Sequence, residues 1–289
     1  MATVTVPVPV HNDRGETGIK RGLYLVGAVL AVIVFLTPLL WSSFRSVQPN
    51  SVIIGESGGF FSLTVENFAG LAGQTQLLRA VGNSLLVSVS TAVLTALVAT
   101  MAGYGFARFR FRGVAVLFAL VVITMMVPFQ AILTPLYLQM NVMRLTDSLL
   151  GLVLFYTTVN LPFGVFVMRN AFAAVPRELE DSAHVDGAGT TRMIVSVLRP
   201  LVVPGAATVA LYAFLSAWTE FLGALTFLTS QELYTLPVAL VNVQSGAYGE
   251  VNFGFLVAGA VVAMIPCIVL YVALQRFYVS GLASGAVKG

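Results

Sequence analysis

Six apolar runs, each long enough to cross a bilayer, leave this chain few folds to choose from. They cover about residues 22–41, 78–106, 114–138, 148–168, 201–228 and 253–278. A hydrocarbon core about 30 Å thick takes a helix of roughly 20 residues, so the pattern predicts an all-α integral membrane protein with six transmembrane helices. Composition agrees, because 58% of the residues are hydrophobic and only 9% charged, against roughly a quarter charged in an ordinary soluble domain. The expected organisation is an N-terminal segment over residues 1–21, a six-span domain over 22–279 and a short tail over 280–289. The first run is too long for the apolar core of a signal peptide and leads into SSFRSVQPNS, which has no small-residue cleavage site, so it reads as an uncleaved span. Residues 43–77 and 229–252 read as loops.

The basic residues set an orientation. Arg14, Lys20 and Arg21 precede the first run, and Arg108, Arg110 and Arg112 make a tight turn between the second and third. Arg169, Arg177, Arg192 and Arg199 lie between the fourth and fifth, and Arg276 and Lys288 come last. These are 12 of the 15 Lys and Arg residues; the alternate loops hold Arg45, Arg79 and Arg144. Cytoplasmic loops carry the excess of Lys and Arg, so both termini and the stretch between spans four and five are expected in the cytoplasm. Basic residues scattered at span ends form no face for nucleic acid. The single cysteine, Cys267, lies in an apolar run and allows neither an internal disulfide nor a thiolate metal cluster.

Between spans four and five stands the one acid-rich stretch, PRELEDSAHVDGAGTTRMIVSVLRPLVVPG from residue 176 to 205. Pro176 suits a first helical position, and Glu178, Glu180 and Asp181 then sit at the positive end of the helix dipole. Gly187 can take the left-handed conformation that ends a helix, and Gly189, Thr190 and Thr191 supply the loop and cap of the next one. The expected unit is helix, turn, helix, with the first helix over residues 176–187. Leu179, Ser182, Ala183 and Asp186 fall on one face by three-and-four spacing, a face of small residues suited to another protein's groove.

These residues resemble the motif of the membrane subunits of ATP-binding-cassette importers: E-A-A, three residues, G, then a turn and a leucine–proline pair. Here it stands as Asp181-Ser182-Ala183 followed by Gly187. The fuller string PRELEDSAHVDGA is similar to the carbohydrate-uptake branch, as in the smaller permease of maltose-type transporters. Asp181 and Ser182 replace the usual Glu and Ala while keeping charge and small size, and Arg199 precedes Pro200 where the family usually has leucine. The resemblance covers nearly the whole chain, from the first span to the ending SGLASGAVKG.

What the resemblance implies is a type I importer permease fold with a coupling helix between spans 4 and 5. The chain would form half of the pathway for ATP-driven import of a sugar or oligosaccharide, in a bacterial or archaeal plasma membrane. Its implied partners are a similar second permease, two ATPase subunits and an extracytoplasmic solute-binding protein. ATP and magnesium belong to the ATPases, and no cofactor is expected on this chain. The implied coupling residues are Glu178, Glu180, Asp181, Ser182, Ala183, Asp186 and Gly187. Ser280, Gly281, Gly285 and Lys288 would touch the ATPases from the tail. Gln244, Ser245, Gly246 and Tyr248 would meet the binding protein from the loop over 229–252. The alternatives are the same build importing glycerol-phosphate diesters or another non-sugar solute, and a membrane scaffold that only anchors an ATPase.

Alone, the chain carries no enzyme chemistry that its motifs reveal. It has no G-x-x-x-x-G-K-[ST] phosphate loop, no H-E-x-x-H pair and no G-x-S-x-G elbow. An ion-coupled carrier would hold several ionisable groups in its spans, whereas here Glu220 is the one such acid. It stands toward the outer end of the fifth span and has two readings: a gate or pathway residue, with Trp218 and Asn160 beside the solute, or a carboxylate that holds two helices in register. Pro128 and Pro135 predict a bent third span, serving either the pathway or packing. Asn83, Ser84, Ser88, Ser90 and Thr91 read mainly as helix-packing contacts in the second span. The orientation is testable: a cysteine at Ser245 should react with an impermeant thiol reagent in intact cells and one at Gly189 should not, and the reverse pattern would invert the topology.

Overall fold

The computed structural model describes residues 16–244 and 252–286, and among these there are helices and turns but no strand. The chain runs through α1 (Glu16–Ser46), the short α2 (Asn50–Ile53) and α3 (Glu66–Ala72), and then the long α4 (Thr75–Arg108). Next come α5 (Val114–Ile123), α6 (Phe129–Val142) and α7 (Leu149–Ala173), followed by α8 (Glu178–Val185) and α9 (Thr190–Met193). The last elements are α10 (Arg199–Thr219), α11 (Leu222–Phe227), α12 (Leu236–Gln244) and α13 (Phe253–Ala286). Five helices are long and apolar enough to span a bilayer by themselves, and a bent pair can make the sixth.

That pair is the predicted third span, and it bends by 101° between residues 114–126 and Phe129–Val142. The break falls at Pro128, whose ring and missing N–H prevent a helix from running through, and a 3-10 turn over Thr124–Met126 tightens the approach. Pro135, by contrast, lies inside α6. The fifth span also departs from a single run. Its helix stops at Thr219, residue 220 is extended, and a separate short helix follows. At its start, a π-helical turn over Ile194–Leu198 joins α9 to α10, a wider turn of the kind that accommodates Pro200 without its ring striking the backbone one turn back.

Both expected loops contain helices. Residues 43–77 hold α2 and α3, and 229–252 hold a 3-10 turn, Gln231–Leu233, and α12. In α12 the apolar stretch LPVALV buries Leu236, Val238, Ala239 and Leu240, which a solvated connector would not. The helix beginning at Phe253 runs on past residue 278 to Ala286, so the expected tail starts as helix.

Helix α4 forms the axis of the bundle and packs against α7 and α10. Its inward stripe is small and hydroxylated: Ala80, Ser84, Ser88, Thr91, Thr95, Ala99 and Gly103 are buried. Small residues let helix backbones approach where lipid supplies no hydrophobic drive between helices, and the packing reading of Ser84, Ser88 and Thr91 fits this stripe. Asn83 lies beside it and donates to the carbonyls of Glu232 and Tyr234 at 2.9 and 3.1 Å. The Ser84 hydroxyl accepts from the backbone N–H of Leu236 at 2.7 Å, tying the start of α12 to the axis. Helix α1, in contrast, leaves Leu23, Phe35, Leu40 and Trp41 exposed.

Close approach has a price at Gly103, where an added Cβ would meet the Cβ of Met168 at 2.5 Å and the backbone N of Arg169 at 2.8 Å. Gly82, on the same helix, has nothing within 4 Å. Gly103→Ala should therefore destabilise the protein by about 1–3 kcal/mol through overpacking. Gly82→Ala should stabilise it by about 0.5–1 kcal/mol. Thermal unfolding in detergent checks the opposite signs.

Candidate functional site

Helix α8 follows α7 through a turn at residues 174–177 and packs on α9 and the π-helical turn that leads into α10. Pro176 stands just ahead of the helix rather than at its first position, and the first turn carries Glu178, Glu180 and Asp181. Its end forms as the glycine predicted. Gly187 has φ +76°, its N–H bonds the carbonyl of His184, and the N–H of Ala188 reaches back to the carbonyl of Ala183. This paired closure satisfies carbonyls that a helix end would otherwise orphan. Gly189 then leads into α9.

The faces of α8 differ from the expected division. Ala183 is 8% exposed and packs inward with Met168, Phe172, Val175, Met193 and Leu198, so the room its small side chain leaves is used by this chain's own bundle. Glu180 also points inward, paired with Arg108 at the end of α4. The outward surface is a shallow groove lined by Glu178, Asp181, Ser182, Val185 and Asp186, with Val185 88% exposed. Thus of the predicted coupling residues, Glu178, Asp181, Ser182 and Asp186 are available to a partner, Glu180 and Ala183 mount the helix, and Gly187 shapes its exit. Three-and-four spacing identifies faces of a helix but not which face its own bundle takes.

At the opposite end, Glu220 is half-buried and its role is visible in its bonds. Its carboxylate accepts from the Tyr156 hydroxyl at 2.7 Å and from the backbone N–H groups of Gly223, at 3.0 and 2.8 Å, and Ala224, at 3.3 Å. It therefore supplies acceptors to the first turn of α11, where a helix start leaves donors unpaired, and links that turn to α7. Trp218 is buried, stacked on Phe214 at 5.8 Å, and donates from Nε1 to the Ala263 carbonyl at 3.0 Å. Asn160 is buried and donates to the carbonyl of Tyr156 at 2.7 Å. The structure brings Glu220 and Tyr156 together, one turn from Asn160, while Trp218 belongs to a separate cluster with Leu236, Leu240 and Ala258.

One polar junction was not singled out from the sequence. Asp147, in the turn before α7, has φ +50° and accepts from the N–H groups of Thr229 and Ser230, both at 2.9 Å, and from the Ser230 hydroxyl at 2.5 Å. These donors, the Ser230 hydroxyl foremost, hold its carboxyl down at about 2, so the turn stays clamped to the segment after α11 wherever the carboxylate is ionised. The only prior signal was an Asp just before the Ser148 helix cap. Of the loop residues expected to meet a binding protein, Gln244 ends α12, whereas Ser245, Gly246 and Tyr248 lie outside the described residues. Ser280, Gly281 and Gly285 lie in α13, and Lys288 is outside the described residues.

Residues 92–284 match a family described as the inner membrane component of binding-protein-dependent transport systems. The chain belongs to this family. It is 33% identical over 266 residues to the diacetylchitobiose uptake system permease protein DasC of Streptomyces coelicolor, covering 91% of this chain and 96% of that one. It is also 33% identical over 275 residues to the trehalose transport system permease protein SugB of Mycobacterium tuberculosis, covering 94% of this chain and all of that one. The fold matches a chain of a bacterial ABC transporter that imports the acidic polysaccharide alginate, with a TM-score of 0.75 at 21% identity, covering 94% of this chain and all of that one. This permease is thus a transport component of an ABC importer, with a type I importer fold, and ATP hydrolysis belongs to separate ATPase subunits.

The bonds of Glu220 give a prediction for the permease. Glu220→Ala should lower its stability by about 0.5–2 kcal/mol, the usual range for a lost helix cap, and Tyr156→Phe should cost less in wild type and nothing further once Glu220 is gone. Unfolding midpoints of the two single variants and the double variant decide it. Stability unchanged in Glu220→Ala would leave the pathway reading alone.

Proposed function

We propose that this permease forms half of the translocation pathway for a sugar or oligosaccharide, paired with a similar permease, driven by two ATPase subunits and supplied by an extracytoplasmic solute-binding protein. The observation that carries the coupling part is the outward face of α8. Four polar residues, Glu178, Asp181, Ser182 and Asp186, stand exposed around Val185 on a helix whose other face is packed into the bundle. An acidic face with an apolar centre suits a groove that offers basic or N–H groups at its edges. The solute class is supported by relatives named for diacetylchitobiose and trehalose. Nothing comparable supports a glycerol-phosphate diester or a purely anchoring role.

In this mechanism, closure of the ATPase dimer on ATP moves the two coupling helices, and the bundles open outward to accept solute from the binding protein. Hydrolysis reverses the motion and releases solute inward. With α8 at the ATPase side, both chain termini are cytoplasmic and α11 and α12 lie on the side where a binding protein docks. Asp147 clamps the start of the segment after α11 to the α6–α7 turn.

Gly187 gives the direct test. A Cβ at this position would meet nothing within 4 Å, so the burden of Gly187→Val lies in forcing a β-branched residue to positive φ, about 1–2 kcal/mol, and in the bulk it presents to a docked partner. In liposomes holding the whole assembled complex, the variant should lose ATPase docking or lose binding-protein-dependent uptake. Normal docking together with normal uptake of every sugar the wild type carries would overturn the proposal.

A further inference from the structure

Two short non-helical connections lead into α8 and out of it. Residues 174–177 form an irregular turn before it, and after it the chain turns at Gly187 in the left-handed conformation and is extended at Gly189. A push on α8 would dissipate in such turns unless something else joined it to the spans.

The structure supplies that join at the end of α4. The side chains of Arg108 and Glu180 form an ion pair at 7% and 13% exposure, although 72 positions separate them in the chain. Arg108 also donates from Nη2 to the carbonyl of Val175 at 3.0 Å. In return Arg177 reaches back from the turn before α8, its Nη2 at 3.4 and 3.3 Å from the carbonyls of Ala107 and Arg108, where the last carbonyls of α4 lack helical partners and the negative end of its dipole lies. Two arginines thus cross between the same two elements in opposite senses. Ala183, on the next turn of the same face as Glu180, packs among Met168 and Phe172 of α7 and Met193 and Leu198 at the start of the α9–α10 run, so the ion pair is the contact that reaches α4.

We infer that Arg108 and Glu180 are positioning residues that make α8 and α4 move as one body, so that the ATPase stroke enters the bundle through its axial helix rather than through the covalent turns. The inference rests on the coupling reading above and adds the route inside the permease. Geometry favours α4 as receiver because its small-residue stripe packs on both α7 and α10, so a tilt of α4 displaces both. A nearly buried pair suits the task. Removing one partner leaves an uncompensated charge in a poorly solvated place, which resists separation of the two elements far more than a surface pair would.

The test uses the complete transporter in liposomes with its binding protein and compares Glu180→Gln, Arg108→Gln and the exchanged pair Arg108→Glu with Glu180→Arg. Co-purification reports ATPase docking, and sugar uptake per ATP hydrolysed reports coupling. The single variants should keep the ATPase bound and hydrolysing while uptake per ATP falls roughly 5-fold or more, the lower end of ordinary coupling between sites. The exchanged pair should recover most of the loss. Unchanged uptake per ATP in both single variants would overturn the inference, and so would loss of ATPase docking in Glu180→Gln alone, which would return Glu180 to the partner interface.

A second measurement covers variants that fail to assemble. In a Cys267→Ala background, Arg108→Cys and Glu180→Cys joined by a short bis-maleimide that alkylates both thiols should still support uptake if the two elements never part. Uptake abolished by the bridge and restored by reducing a cleavable version of it would overturn the inference. Failure of the coupling reading itself looks different, since then Gly187→Val transports normally whatever these variants do.

Discussion

A peptide group in hydrocarbon has no water to bond, and the placement of every break in this bundle follows from that constraint. Each interruption of a span is accompanied by a group that takes over the lost hydrogen bonds or by a proline that never had one. At residue 220 the carboxylate accepts from Gly223 and Ala224. At Ser84 a hydroxyl on a neighbouring helix receives the N–H of Leu236. At the Pro128 elbow the Val127 N–H turns back to the Thr124 carbonyl. Irregular backbone is confined to places where side chains or tight turns can serve it.

The same constraint explains what could be read without coordinates. Span positions, the short acid-rich helix and its terminal glycine follow from local rules of length, charge and backbone conformation, and each acts within a few residues. Gly187 is the clearest case, because positive φ after an eight-residue helix needs only the residue itself and its near neighbours. Glu220 was left with two readings because the decision lies with Tyr156, 64 positions earlier. Glu180 and Ala183 face inward for the same reason: Arg108 of α4 takes the one and residues of α7 and the α9–α10 junction take the other, and no periodicity within α8 points to them. The helix α12 was hidden by its length, since nine residues fit the prior for a connector as easily as for a buried element.

The two ends of the permease are built differently. The α8 end relies on charged groups, with arginines crossing to carbonyls and to Glu180, and it presents acids outward. The far end uses many neutral amides and hydroxyls reaching backbone groups, as Asn67 does to the carbonyls of Ser46 and Gln48 at 2.9 and 2.8 Å, beside the carboxylates of Asp147 and Glu220 and the exposed Arg79–Glu232 pair. Charged contacts hold at longer range and tolerate small displacements, whereas the amide contacts demand close alignment.

Helices α1 and α13 pack against each other, although about 200 residues separate them, while the apolar face of α1 meets little else inside the chain. Synthesis delivers α1 long before α13. Contacts of such long sequence separation form late because so much chain must be placed before they are rewarded. Helix α1 must therefore spend most of translation solvated by lipid tails, and only when α13 emerges can the perimeter close.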